Sequence, residues 1–132
     1  MSMTFDFFKF VNGGVGLLLL VAATAFSGEE TTPAEQGPSN KIKWSTASEV
    51  DNFGFDVYRS EHEDGPFEKI NSSPILGAGT SDEPQHYQYT DESIEYGRQY
   101  YYYVESISMD SLREQFTPVF PAPIKTAPTK KP

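Results

Sequence analysis

Between Lys41 and Pro121 apolar residues recur at every second position in short runs, and no stretch sustains the 3.6-residue spacing of an amphipathic helix. "KIKW" sets Ile42 and Trp44 against Lys41 and Lys43. "FGFDVYRS" sets Phe55 and Val57 against Asp56 and Tyr58, and "HYQYT" alternates in the same way. Successive side chains of a strand point to opposite faces, so each run reads as a strand with one buried side. Turn chemistry separates the runs. Charged "EHEDG" ends at Gly65, ahead of Pro66 and "FEKI", and "DESIEYGRQ" leads into "YYYYVESI". "NSSPILGAGTSDEPQ" reads as a long polar connection and "SMDSLRE" as a loop before a last strand, "QFTPVF". Short strands at regular spacing predict an all-β antiparallel sandwich or barrel.

The 132 residues leave room for one modest domain plus appendages. The hydrophobic fraction, 37%, is low for a fully globular chain, but ten Phe and eight Tyr supply large buried area per residue. A net charge of −9 and a pI near 4.6 repel phosphate backbones, and no basic stripe offsets them, so nucleic acid is excluded as a partner. Cysteine is absent, which removes disulfides, thiol catalysis and Cys-ligated zinc.

The appendages lie at the two ends. Residues 1–27 place Lys9 before an apolar stretch from Phe10 to Phe26, with small residues at Ala22, Ala23, Ala25 and Ser27. That pattern resembles a secretory signal and predicts an N-terminal hydrophobic helix, either cleaved or retained as a membrane anchor. Lys9 before it and Glu29–Glu30 after it orient the downstream chain outside the cytoplasm, periplasmic or extracellular. "LLLLVAATAFSGEE" is also similar to bacterial lipoprotein signals, but Phe26 stands where they carry the lipidated cysteine. Residues 28–40 contain no large apolar side chain and read as a flexible linker. Residues 122–132, rich in proline and lysine, read as a disordered tail after a domain spanning 41–121.

The tyrosine run carries the strongest resemblance. In "IEYGRQYYYYV" an apolar residue, a glycine three places on and a tyrosine three further lead into an alternating strand. With "KIKW" and "FDVYRS" upstream, about 80 residues resemble a fibronectin type III domain of the kind found in bacterial exported proteins. The resemblance implies an immunoglobulin-like sandwich of six or seven strands. It implies a tyrosine corner at Ile94, Gly97 and Tyr100, with the Tyr100 hydroxyl turned back to upstream backbone. It further implies a core tryptophan at Trp44 and inward positions at Phe55, Val57, Tyr102, Val104 and Ile107. Tyr96 stands where the family usually has proline, and the family's first strand has no counterpart in the Pro/Glu-rich linker. Tyr101 and Tyr103 then point outward beside Tyr58, forming an aromatic stripe. That stripe is either cross-strand packing or a recognition patch for a sugar ring or peptide strand.

Chemistry-bearing constellations are sparse. His62 sits in the charged turn Glu61–Asp64 and His86 at the start of a strand, and neither spacing matches a calcium loop or a metal motif. No nucleophile elbow or phosphate-binding glycine loop is present. Asn71-Ser72-Ser73 fits a glycosylation sequon. The loop "SMDSLRE" lacks the integrin-binding tripeptide of some family members. These features predict a module without cofactor or metal that is not an enzyme and that binds or spaces proteins, with carbohydrate as a second ligand class. Two alternatives stand beside it: assembly by strand addition at an open sheet edge, and a small hydrolase.

Overall fold

The computed structural model describes residues 36–131. The expected signal or anchor and most of the linker lie outside the described residues. Eight strands follow in order: β1 (Asn40–Thr46), β2 (Glu49–Ser60), β3 (Glu68–Lys69), β4 (Ile75–Ser81), β5 (Gln85–Asp91), β6 (Tyr101–Ser108), β7 (Arg113–Gln115) and β8 (Phe120–Pro121). They make two antiparallel sheets. β1 pairs with β5 alone, while β3, β2, β6 and β7 form the larger sheet, with β4 added on β2 and β8 on β6. The described residues contain no helix.

Alternation builds the core. Ile42 and Trp44 from β1 meet Phe55 and Val57 from β2 and Tyr102 and Val104 from β6, with Ile94 and Tyr100 added from the β5–β6 connection. Each such side chain, fully buried, stabilises the fold by about 1.5–3 kcal/mol. Aromatic rings fill the middle: Phe55 lies edge-on to Trp44 at 5.4 Å, and Tyr87 of β5 stacks on Trp44 at 5.7 Å. Polar links between the sheets fix how they face each other. Asn40 of β1 donates to the Tyr102 hydroxyl of β6 at 2.9 Å. Tyr89 of β5 donates to the Ile70 carbonyl just after β3, at 3.0 Å. Arg59 of β2 donates to both oxygens of Asp91 in β5. β1 therefore lies over β6 and β5 over β2 and β3, and no strand among the described residues lies over β7 and β8.

Several expectations change. The stretch expected as a polar connection contains β4, and the loop before the last strand contains β7, so eight strands form among the described residues where six or seven were expected. β4 is hard to read because after Ile75 and Leu76 its sequence, ILGAGTS, offers only small residues and no alternation. β2 bulges between Asn52 and Gly54, and a Cβ at Gly54 would collide with the Ile75 carbonyl of β4. Only glycine permits that approach. The packed chain also runs past Pro121, where the tail was expected to begin. Ala122 packs on the core and donates its N–H to the Tyr100 carbonyl, and the Lys125 carbonyl accepts from Gly97.

Candidate binding surfaces

The tyrosine corner is a local consequence of Gly97. Its φ of 77° lies in the left-handed region, which a side chain disfavours, and the turn it makes brings the chain back towards Tyr100. The Tyr100 hydroxyl accepts the Glu95 N–H at 3.0 Å. Tyr100 and Tyr102 are buried, as are Ile94, Trp44, Phe55, Val57 and Val104. Tyr101 and Tyr103 alternate with them and are half-buried on the opposite side of β6.

The outer face of the large sheet carries the aromatic stripe. Tyr58 and Tyr103 are direct cross-strand partners and stack at 4.8 Å with an interplanar angle of 5°. Phe67 adds an edge contact to Tyr103 at 5.0 Å. The Tyr58 hydroxyl donates to Glu105, which also receives Arg113 at 2.6 Å. Arg113 reaches Asp56 at 2.8 Å, and Asn71 donates to the other Asp56 oxygen at 2.8 Å. Asp56, expected on the solvated side with Tyr58, is thus fully buried under side chains from β7 and the β3–β4 connection. Tyr58 and Tyr103 each spend one ring face on the other.

Buried carboxylates, which the period-two pattern does not mark, are committed to the scaffold. Glu49 accepts from the Thr46 and Tyr87 hydroxyls, the Asn52 amide and the Ala78 N–H. Burial pushes its carboxyl up, but these donors together outweigh that effect and hold it below 4.5. Tyr87 is pushed up to about 12 by burial, then by its hydrogen bond to Glu49 and that carboxylate's charge. Asp91 accepts from Arg59, the Tyr102 hydroxyl at 2.7 Å and the Ser93 N–H. Burial first, and then Asp91, raise the Tyr102 phenol well above its ordinary value. The sequon residue Asn71 is itself buried and spent: it accepts from the Val57 N–H and donates to Asp56 and the Ser73 carbonyl. Glu61, in the charged turn beside His62, pairs with Arg98 at 2.9 Å. Among the described residues no three His, Asp or Glu side chains gather as a metal site would require.

The remaining feature is the edge of β1 away from β5. Two open clefts flank it. One, of about 440 Å³, lies beside Asn40, Ile42, Tyr102, Phe120 and Ala122. The other, of about 300 Å³, lies past Thr46 beside Phe55, Ile107, Leu112 and Phe116. Neither contains a β5 residue.

No family model, curated protein or solved structure matches the chain.

Proposed function

We propose that this chain is an exported, non-catalytic module of fibronectin type III type that binds or spaces other proteins at the cell envelope. The Tyr100 hydroxyl on the Glu95 N–H, set between sheets of two and six strands, supports the family reading. The observation that carries the binding role is the two-stranded sheet. Among the described residues it leaves the main-chain groups along one side of β1 without a strand partner, next to apolar clefts. Such an edge is a template for an added strand. That favours a protein partner over carbohydrate, because main-chain pairing at a sheet edge recognises a polypeptide.

Cross-linking mass spectrometry on the full-length chain in its native envelope tests this reading. Reproducible cross-links from Lys41, Lys43 or Lys125 to another protein are the expected result. Turnover in a broad hydrolase screen that disappears in Glu61→Gln would replace the reading with an enzyme. Glycan binding that disappears in Tyr58→Ser/Tyr101→Ser/Tyr103→Ser would replace the protein partner with a sugar. Mass spectrometry of the native N-terminus checks export: loss of residues 1 to about 27 is expected for a cleaved signal.

A further inference from the structure

We infer that the open edge of β1 receives, from a partner, an extended segment in which apolar side chains alternate with carboxylates. This rests on the binding-module reading and specifies its ligand.

Geometry supplies the apolar half of the pattern. A strand laid along β1 would turn every second side chain inward, to the clefts at either end of the edge. Their floors are Ile42, Tyr102 and Phe120 at one end and Phe55, Ile107 and Phe116 at the other. Leu112 at the second cleft remains 68% exposed, an apolar surface that such a side chain would cover. Asn40 adds a polar anchor. It lines the first cleft, is 4% exposed, and its Oδ1 has no hydrogen-bond partner. A buried acceptor left unmatched is unfavourable, so a donor on the incoming strand that meets it adds to the binding.

Charge supplies the other half. The outward side chains of β1 include Lys41 and Lys43, whose cross-strand neighbours on β5 are Thr90 and Gln88. Lys125 stands at the rim of the first cleft. None of the three is in an ion pair among the described residues, in a chain of net charge −9. The outward side chains of an added strand would lie directly beside Lys41 and Lys43, where carboxylates are favoured and cations repelled. β1 is seven residues long, which sets the segment's length at roughly seven residues.

Two other occupants fit less well. The chain's own residues 28–39 contain glutamates but no large apolar side chain, and Pro33 and Pro38 lack the N–H that a ladder needs. A second copy pairing β1 with β1 antiparallel about its middle residue would set Lys43 against Lys43, which is destabilising.

The test titrates the full-length chain in mild detergent with an alternating Val-Glu octapeptide, following amide NMR shifts and the emission of Trp44, the sole tryptophan. Val-Lys and Gly-Glu octapeptides are the comparison probes. The expected result is shifts centred on Asn40–Thr46, with Val-Glu binding about tenfold more tightly than either comparison peptide. Lys41→Glu/Lys43→Glu should reverse the order, favouring Val-Lys. Misfolding would abolish both interactions and could not invert them. Equal binding of all three peptides, or shifts away from β1, overturns the inference. So do β1 amides already protected in the free chain and released by Gly/Ser replacement of residues 28–36, which would mean an occupant in cis. A dimer burying the same amides overturns it in favour of a second copy. Cross-links to a partner that persist unchanged in Lys41→Glu/Lys43→Glu sink the edge inference alone and leave the binding-module reading standing.

Discussion

At the scale of single residues, two polar atoms show how a small sandwich satisfies itself without cysteine. Glu95 presents a backbone N–H that no strand claims, and the Tyr100 hydroxyl accepts it. Tyr100→Phe keeps the ring and removes the acceptor, so the expected loss is about 0.5–1.5 kcal/mol in urea unfolding with an unchanged slope. Glu49 is the opposite case, an acceptor surrounded by four donor groups. Its folded value lies below 4.5, so the ionised form stabilises the fold above that pH, and the contribution is lost as pH falls through the folded value. Tyr87 works in the other direction. Its phenol is raised from 10.0 to about 12, so its stabilisation is complete below pH 10 and disappears as pH rises through 12. Unfolding midpoints measured from pH 3 to 12 should therefore fall at both ends. Glu49→Gln should flatten the acid limb and Tyr87→Phe the alkaline limb, each at some cost at neutral pH.

At the scale of elements, β6 explains why the tyrosine run does two jobs at once. One side of the strand puts Tyr102 and Val104 into the core, and the other lays Tyr103 on Tyr58 of β2. A double-mutant cycle of Tyr58→Ser and Tyr103→Ser should give a coupling of about 0.5–1.5 kcal/mol, measured by chemical unfolding. A coupling near zero would show that the rings do not support each other. β1, β2, β5 and β6 were legible because large apolar residues mark every second position. β4 was not, because its small residues pack by closeness to the bulged β2, a tertiary fact with no apolar signature. The Asp56–Arg113 pair was illegible for a different reason: 57 residues separate its members, and an aspartate in an alternating strand looks solvated until its cover is known. Glu49 and Asn71 were missed on the same ground. A buried carboxylate or amide becomes recognisable only through its donors and acceptors, and these come from other elements.

At the scale of the molecule, a sheet of two strands faces one of six, and the mismatch governs solution behaviour. Among the described residues no strand precedes β1, and the linker's lack of apolar residues agrees with that, because a segment with nothing to bury gains little from docking. What period-two alternation did not show is how the exposed edge is kept from pairing with itself. We infer that Lys41 and Lys43 provide that protection: antiparallel pairing about the middle of β1 sets Lys43 against Lys43 and in-register parallel pairing sets each lysine beside its copy, while an acidic strand would find them attractive. The same two residues therefore exclude one partner class and admit another. Lys41→Val/Lys43→Val would remove the repulsion and extend the apolar surface of β1 to both faces. Sedimentation of the full-length chain in detergent should then show a concentration-dependent dimer or larger species, where the unaltered chain is expected to sediment as a monomer at the same concentration. If the valine variant stays monomeric, lysine charge is not what guards the edge.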